Sequence, residues 1–589
     1  MPTVLPPIRY QDAEYQNAHN DLYLGIPIDA PEHILPPGVS QEDFDRALDE
    51  FVSILGDDSV FTGEALRDYV DPYEIPLPNV DRKIPSGAVC PSSTEQLHAV
   101  LEVANRYSIP VWTFSRGKNI GYGGPAPRLP GSMALDLHRM DKILEVNEKF
   151  AYAVVEPGVT FTQLYEYVVA QKLKIWSSVP SLGWGSVIGN TLDRGMGFTP
   201  TANHHEHIAG LEVMLADGDL IRTGQWAMST SPSAHLSKYS FGPSIDGLFL
   251  QSNLSVVTKM GIWLTPQPQA YMSCSFDMPN REDVGLITDL FGEMRRNGIM
   301  PNLCYVFNIV EWSAIIGKRA ELWDGEGAMP ESRLKEIQQE IETGHWSVKF
   351  SLYGAKTVIQ AQFDEIKRVV AERAPTGRIK GAIFSGEGDR LLDPTSVTQP
   401  HGGMFVGVPS LWSLPLIKYM LPKDGSGAGA HSAYSAIIPL DGKVMVEWYH
   451  KAREVYEAEG FDAMCDFFMH GRHAVFVCML CFDKTNRKQT DAIDRIFHRL
   501  FEEGKKMGFA KYRAHVDHMD MVSDQMDFND HAYRRFVEKI KDTLDPNGIL
   551  SPGKMGIWPK KYRHLREGAW KDNEPVAGVH DSYGPKANL

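Results

Sequence analysis

The chain has 589 residues, of which 43% are hydrophobic and 23% are charged, and this length exceeds one ordinary hydrophobic core, so two or more domains are expected. Its formal net charge of −16 argues against a nucleic-acid partner, because neutralising phosphates requires clustered lysine and arginine. The sequence has no apolar run long enough to predict a membrane span, and residues 1–16 lack the basic and apolar regions of a secretion signal.

The first predicted elements are two amphipathic helices. One is expected at about 41–55, with Ser40 as its N-cap and acidic residues in its first turn. A second is expected at 93–109, opened by a capping box from Ser93 or Thr94.

Strands and a helix follow in mixed order. The apolar runs that predict strands are VWTFS (111–115), MALDL (133–137), ILEV (143–146) and AYAVVEPG (151–158). A helix is expected at 160–172, between strands. This order predicts an α+β fold rather than a regular series of βαβ units.

A glycine-rich loop, RGKNIGYGGPAPR, occupies 116–128 between two of these strands. Glycines allow positive φ and close approach of the backbone to a ligand, and clustered N–H groups can hold an anion such as a pyrophosphate. Four glycines in so short a stretch favour phosphate binding, and an ordinary surface loop stays the alternative.

Glycine-rich turns recur at 181–200, 215–224 and 241–266. From there to about residue 512 the sequence has fewer glycines and longer predicted helices and strands. A last helix is expected at 532–544. We therefore expect one domain built from both chain ends and interrupted by a central domain. The predicted divisions are an N-terminal arm (1–40), the first domain (41–267), a central domain (268–509), a C-terminal return to the first domain (510–564) and a tail (565–589).

Two patterns that suggest metal or redox chemistry have simpler interpretations. Cys478 and Cys481 form a C-x-x-C, but a spacing of three within a strand sends the two thiols to opposite faces. The six cysteines of the chain, this pair included, are too few for a disulfide framework in so long a chain. The NHHEH stretch (203–207) offers no separate ligand set, so no metal is expected.

Six motifs in order resemble the vanillyl-alcohol oxidase and p-cresol methylhydroxylase family of flavoproteins, over about 41–564. They are RGKNIGYGGPAPR, LEVNEKFAYAVVEPGVTFTQLYEY, GSVIGNTLDRGMGFTP, GLEVMLADGDLIRTG, DGLFLQSNLSVVTKMGIWLTP and LDPNGILSPGK. The resemblance implies an FAD-binding domain of two α+β subdomains, with a central α+β cap domain over the isoalloxazine ring.

The resemblance also implies which residues contact FAD. Backbone groups of the glycine loop are expected at the pyrophosphate, and a second turn and one strand are expected to border the flavin. The candidates are Arg116, Gly117, Lys118, Asn119, Ile120, Gly121, Gly185, Ser186, Ile188, Gly189, Asn190, Val257, Thr258 and Lys554. Tight turns in a β-rich domain are the alternative role for the glycines.

A catalytic cluster of Tyr122, Tyr512 and Arg513 follows from the same resemblance. A para-alkylphenol loses hydride from its benzylic carbon when its phenol oxygen is deprotonated. Two phenolic O–H donors and a guanidinium stabilise such a phenolate. Without the resemblance, Tyr122 would be interpreted as a packed aromatic and Tyr512–Arg513 as a surface pair.

His431 aligns with the histidine that bonds covalently to FAD in the oxidase branch of the family. Such a nucleophile must be neutral, so a neighbour has to take its proton. The oxidase supplies a helper histidine near its N-terminus, where this chain has Tyr73. We expect a covalent bond through His431, with a buried histidine at the domain junction as the alternative.

Three further residues bear on catalysis. Ser181 stands where the oxidase has an aspartate near flavin N5, and a carboxylate occurs instead at Asp466, as in the hydroxylase branch. We expect Asp466 to activate water, and a solvated loop residue is the alternative. Trp184 replaces an expected small residue and predicts a narrowed cavity beside the substrate.

The combined interpretation is an FAD-dependent oxidase of 4-hydroxybenzylic alcohols or 4-alkylphenols that reduces O2 to H2O2. Ser181 and Asp466 favour a different enzyme, a dehydrogenase with a cytochrome or quinone acceptor. His431 favours the oxidase, and so does the terminal KANL (586–589), which resembles a peroxisomal address. Two other functions stay open. The protein could oxidise a non-phenolic alcohol or a 2-hydroxy acid, or it could bind flavin without redox activity. We expect a homodimer or a multiple of dimers, located in peroxisomes or cytoplasm.

Overall fold

The computed structural model describes residues 31–75, 82–386, 392–397 and 402–566. Its helices are α1 (Gln41–Leu55), α2 (Thr94–Arg106), α3 (Phe161–Ala170), α4 (Val187–Leu192), α5 (Val284–Arg296), α6 (Ile309–Ile316), α7 (Arg319–Leu322), α8 (Glu331–Glu340), α9 (Lys356–Arg373), α10 (Gly442–Ala458), α11 (Arg487–Lys506), α12 (Met519–Ser523) and α13 (Phe528–Leu544). Short 3₁₀ turns lie between several elements.

The strands are β1 (Val60–Phe61), β2 (Ala88–Val89), β3 (Val111–Phe114), β4 (Met133–Asp136), β5 (Ile143–Asn147), β6 (Tyr152–Val155), β7 (Ile175–Trp176), β8 (Ile208–Met214), β9 (Leu220–Arg222), β10 (Val256–Trp263), β11 (Thr265–Pro266), β12 (Ala270–Met278), β13 (Cys304–Asn308), β14 (Trp346–Gly354), β15 (Arg378–Ser385), β16 (Gly429–Pro439), β17 (Cys465–Met469) and β18 (His473–Asp483). The predicted α+β class is confirmed.

The two N-terminal helices begin where their caps were predicted. Ser40 accepts a hydrogen bond from Asp43 N at the start of α1, and Ser93 accepts one from Gln96 N at the start of α2. Helix α2 ends three residues earlier than 109, because Ser108 takes a φ of 55° that no helix continues through.

Two sheets form the N-terminal part, in strand orders β1-β2-β4-β3 and β5-β6-β10-β8-β9. The C-terminal segment lies along the edge of β3: Val111 N donates to Ile549 O, and Ser551 N donates to Val111 O, each at 2.7 Å. Residues 549–551 of the C-terminal segment therefore pair with β3 of the N-terminal part. The five segment limits expected from the sequence stay a prediction.

The central part holds an antiparallel sheet of seven strands, ordered β15-β12-β14-β13-β17-β18-β16. We call it the cap sheet. One face packs against α5, α9, α10 and α11 in a large apolar core. On the other, inner face, Tyr305 of β13 and Phe468 of β17 contact Phe198 of the N-terminal part, at ring-centroid distances of 5.9 Å each.

The cysteine pair behaves as predicted. Cys478 packs in the core against the helices, and Cys481 packs in a separate cluster that includes residues of α6. All six cysteines are free and buried. In the described part of the chain, no helix has both the length and the apolar character needed to cross a bilayer.

Candidate active site

A cleft lies where the glycine loop, α4, β10 and the C-terminal segment meet. Most of the predicted cofactor residues and two predicted catalytic residues line it: Arg116, Gly117, Lys118, Asn119, Tyr122, Gly185, Ser186, Ile188, Gly189, Asn190, Val257, Arg513 and Lys554. These residues come from distant parts of the chain. The cleft is therefore the candidate cofactor site.

The glycine loop is shaped for close approach. Gly121 has a φ of +74°, and a Cβ placed on it would stand 2.6 Å from Nδ1 of His431. Gly123 has a φ of +100°, and a Cβ there would stand 2.7 Å from the methyl groups of Val516. Only glycine at both positions lets β16 and the C-terminal segment contact this loop.

His431, on β16, lies directly behind Gly121. Both of its ring nitrogens are buried and have no hydrogen-bond partner among the described residues. Burial lowers the pKa of His431 to about 4, so the ring is neutral at pH 7 and keeps a free lone pair. Orphaned buried nitrogens are costly, and a bond to a bound group at this place would remove the cost.

Two lysines, Lys118 and Lys554, line the cleft. Burial lowers the pKa of Lys118 to about 8, and burial also lowers the pKa of Lys554. A negatively charged group bound in the cleft would favour the charged form of both lysines. The lysines, the glycine backbone and His431 together fit FAD.

The predicted catalytic residues Tyr122, Tyr512 and Arg513 come together, and two of them, Tyr122 and Arg513, line the cleft. The guanidinium carbon of Arg513 is 5.4 Å from the ring centre of Tyr122 and 5.3 Å from that of Tyr512. Burial raises the pKa of Tyr512 well above its usual value. Burial opposes the charge on Arg513, but Tyr512 and Asp193 raise its pKa, so it remains a cation. The cluster offers two neutral O–H donors and one positive charge.

Asp193 holds Arg513 in place and was not identified from the sequence. Arg513 Nε donates to the backbone O of Asp193 at 2.5 Å and lies 3.2 Å from its Oδ2. Asn119 Nδ2 also donates to Asp193 Oδ2, at 3.3 Å. The only signal in the sequence was its place within the motif GSVIGNTLDRGMGFTP.

Ser181 and Trp184 lie in the turn that precedes α4. The backbone O of Ser181 accepts a hydrogen bond from Ser413 Oγ at 3.4 Å. Trp184 is 2% exposed and packs within the cap core, and Nζ of Lys118 is 5.8 Å from its ring centre. Trp184 thus stands directly behind the cleft, and its effect on the substrate cavity stays a prediction.

Asp466 is not a solvated loop residue. It lies on β17, opposite Phe307 of β13 and Val477 of β18, and it is 4% exposed. Val477 also pairs with Ser435 of β16, whose backbone O accepts a hydrogen bond from Tyr512 N at 3.2 Å. Paired residues share a face, so Asp466 belongs to the inner face, as His431 does.

The NHHEH stretch forms a 3₁₀ turn rather than a ligand set. His204 Nδ1 lies 2.7 Å from Asn190 Oδ1, and burial lowers the pKa of His204 to about 3. Across the ranges described above, the group whose ligand atoms are close enough for a metal ion is Cys90, Asp136 and His138, which lies elsewhere.

A buried charged cluster joins the N-terminal segment to the C-terminal return. His515 Nε2 lies 2.8 Å from Asp71 Oδ2, and its Nδ1 lies 3.2 Å from Asp517 Oδ2. Burial disfavours the charged ring, but the carboxylates of Asp517 and Asp71 raise the pKa of His515 to about 10. Tyr73, at the predicted helper position, is 3% exposed and donates its N–H to Asp71 Oδ1.

This cluster predicts a loss of stability in alkali. The pKa of His515 is about 6.5 when unfolded and about 10 when folded, so its contribution is complete below pH 6.5 and disappears as the pH rises to 10. We expect the free energy of unfolding to fall by up to about 5 kcal/mol between pH 6.5 and 10. Thermal unfolding curves recorded from pH 6 to 10.5 measure this loss of stability. His515→Gln should flatten the dependence, and an unchanged slope in that variant would contradict the assignment.

Residues 85–224 match the family described as FAD binding domain, and residues 416–555 match FAD linked oxidases, C-terminal domain. The chain is 32% identical over 534 residues to the flavoprotein subunit of hydroxylating 4-cresol dehydrogenase from Pseudomonas putida, covering 89% of this chain and 98% of that protein. It is 27% identical to 1'-carboxy-chondrochloren decarboxylase of Chondromyces crocatus, covering 88% and 99%.

Two solved structures are similar over most of their length. The 4-ethylphenol oxidase from Gulosibacter chungangensis, in complex with isoeugenol, has a TM-score of 0.83 at 33% identity, covering 90% of this chain and all of that one. A substrate-bound p-cresol methylhydroxylase has a TM-score of 0.81 at 31% identity, covering 89% and 99%.

Proposed function

The chain belongs to the p-cresol methylhydroxylase family of FAD-dependent oxidoreductases, and we propose that it oxidises 4-alkylphenols or 4-hydroxybenzylic alcohols at the benzylic carbon. The observation that carries this proposal is the cluster of Tyr122, Tyr512 and Arg513 at the cofactor cleft. The relatives named for 4-cresol and 4-ethylphenol give independent support.

The three residues bind the phenol oxygen as a phenolate. Arg513 supplies the positive charge, and the hydroxyls of Tyr122 and Tyr512 donate hydrogen bonds to the same oxygen. Negative charge on that oxygen pushes electrons across the ring, so that hydride leaves the benzylic carbon and a p-quinone methide forms. FAD, when bound, supplies the hydride acceptor. Asp193 keeps Arg513 from turning away.

We also propose that FAD is attached covalently through His431. The ring is neutral, neither nitrogen has a hydrogen-bond partner within the described part of the chain, and Gly121 leaves no side chain between it and the loop. By resemblance, Tyr73 stands where the oxidase has its helper histidine, and this replacement weighs against the covalent bond.

Asp466 is the proposed base for the second half of the reaction. A quinone methide is an electrophile, and water adds to its benzylic carbon when a base removes a proton from that water. Burial and the neighbouring Glu311 raise the pKa of Asp466 well above its usual value, which makes its carboxylate a stronger base. Ser181 leaves the opposite side of the substrate without a carboxylate.

Trp184 is the proposed limit on substrate size. Its ring fills the space behind Lys118 and packs into the cap core. A large ring here leaves less room near the reacting carbon than a small residue would. Short 4-alkyl chains should therefore be accepted better than bulky ones.

We propose O2 as the electron acceptor, with H2O2 as product, and the alternative is a protein or quinone acceptor. Named relatives of both kinds exist, a dehydrogenase and an oxidase. Purified protein in air with 4-ethylphenol should form one peroxide per phenol consumed. If turnover instead requires an added electron-accepting dye and little peroxide forms, the protein is a dehydrogenase.

Two further expectations remain proposals. The KANL address lies in the terminal tail, outside the described residues, and peroxisomal location would suit an enzyme that makes peroxide. Assembly as a homodimer or a multiple of dimers rests on the family resemblance.

A further inference from the structure

A second buried carboxyl group stands beside Asp466. Glu311, in the first turn of α6, is 1% exposed, and Asp466 is 4% exposed. The hydroxyl of Tyr305 donates to Glu311 Oε1 at 2.5 Å. The other oxygen, Oε2, is buried and has no hydrogen-bond partner among the described residues. A buried carboxylate oxygen without a donor is costly, so this arrangement calls for a shared proton or a bound polar group.

Glu311 and Asp466 are held together by the cap sheet. Tyr305 and Phe307 are neighbours on the inner face of β13, and Phe307 lies directly opposite Asp466 of β17. Tyr305 also stacks on Phe468 at 4.9 Å between ring centres. Asn308 Oδ1 accepts hydrogen bonds from Glu311 N and from Cys465 N, each at 3.4 Å, so the start of α6, which carries Glu311, is tied to the strand that carries Asp466.

This face is covered by the segment that leads from the cleft. Phe198 packs against Phe468 at 5.9 Å, and Met196 Sδ lies 3.1 Å from His470 Nε2 at the end of β17. The same segment begins at Asp193, which holds Arg513. The acidic pair therefore lies between the sheet and the chain that positions the phenolate cluster.

The two carboxyl groups titrate as a pair. Burial raises the pKa of Glu311 to about 7, and burial together with Glu311 raises the pKa of Asp466 well above its usual range. Because the charge of Glu311 raises the pKa of Asp466, the two buried carboxyl groups do not both ionise near neutrality, and they hold one proton between them. Tyr305 and Cys481 lie on the same face as the pair, and the titratable groups that act on it from the other face of the sheet are Tyr456, Cys465 and Cys478.

We propose that Glu311 is a positioning residue that shares one proton with Asp466 and thereby sets the basicity of Asp466 for water addition. The inference rests on the proposed function. In the step, the water oxygen forms a bond to the benzylic carbon, and one water O–H bond breaks. The proton goes to the Asp466 carboxylate, and the electron pair of the exocyclic double bond moves to the ring oxygen, which becomes a phenolate.

The test uses 4-ethylphenol, because its quinone methide has two fates. Water addition gives 1-(4-hydroxyphenyl)ethanol, and proton loss from the methyl group gives 4-vinylphenol. The ratio of the two products, measured from pH 5 to 9 on the holoenzyme, reports the base alone. The rate of flavin bleaching, measured without oxygen, reports the earlier hydride step.

Glu311→Gln keeps the shape and removes the charge that raises the pKa of Asp466. The pH midpoint of alcohol formation should therefore fall by about one unit, with bleaching changed less than about twofold. Tyr305→Phe removes a hydrogen bond that lowers the pKa of Glu311, so Glu311 keeps the shared proton, its negative charge is lost, and the midpoint should fall in this variant too, by less than in Glu311→Gln. A graded fall of the midpoint in two neighbouring variants, with bleaching unchanged, is not expected from a general loss of packing.

Glu311→Asp should restore much of the native midpoint, and the exposed Glu336→Gln on α8 serves as the matched control. A midpoint that stays within about 0.3 units in Glu311→Gln would overturn the inference. Failure of the proposed function looks different, since no phenol would then bleach the flavin of the native protein.

Discussion

The double variant Tyr122→Phe/Arg513→Ala should lower kcat/KM for a 4-alkylphenol by about a thousandfold or more. Removal of one preorganised oxyanion donor costs about 10²–10³ in rate, and this variant removes a donor and the only cation of the cluster. Arg513 contacts both tyrosine rings, so the two single variants should not be additive. Rapid-mixing measurements of flavin bleaching give the hydride step directly.

The controls separate charge from packing. Arg513→Lys keeps the positive charge but not the planar fork, so it should retain part of the rate. Tyr152→Phe removes a hydrogen-bonded hydroxyl from β6, away from the cleft, and should leave kcat/KM unchanged. An unaltered kcat/KM in the double variant would exclude the phenolate cluster.

Replacing His431 by alanine should turn a covalent flavoprotein into one that releases its FAD. The native protein, precipitated with acid, should carry the yellow colour into the pellet, whereas His431→Ala should leave it in the supernatant. We expect this because His431 is a neutral ring against the glycine loop whose nitrogens have no hydrogen-bond partner in the described ranges, and a covalent bond survives unfolding.

His345→Gln is a suitable control, since His345 is also buried and neutral but hydrogen-bonds to Tyr449 in the cap core. Its flavin should stay in the pellet. Flavin released from the native protein on acid treatment would disprove the covalent bond and would leave His431 as a packing residue that contacts FAD.

Short-range sequence patterns predicted much of the fold. The caps Ser40 and Ser93 start helices as expected, and the glycine loop adopts positive φ where its spacing predicted close approach. These features depend on residues near one another in the chain, so composition and spacing were sufficient. The opposite faces of Cys478 and Cys481 follow from strand geometry in the same way.

The candidate site was harder to predict than the fold, because it is formed by contacts between residues far apart in the sequence. Asp193 holds a side chain 320 positions away, and Glu311 meets Asp466 only because β13 and β17 are neighbours in the cap sheet. Neither residue carries a local pattern that separates it from an ordinary surface acid. The sequence also left open whether Asp466 is a solvated loop residue, since its strand is recognisable only from its pairing.

The most direct test of the account is to mix the holoenzyme with 4-ethylphenol in the absence of oxygen and follow flavin absorbance. We expect complete bleaching, with 4-ethylphenol reacting and ethylbenzene, which has no phenol oxygen, failing to react. Bleaching by both compounds, or by neither across a panel of 4-alkylphenols and 4-hydroxybenzylic alcohols, would contradict a reaction driven by a phenolate held by Tyr122, Tyr512 and Arg513.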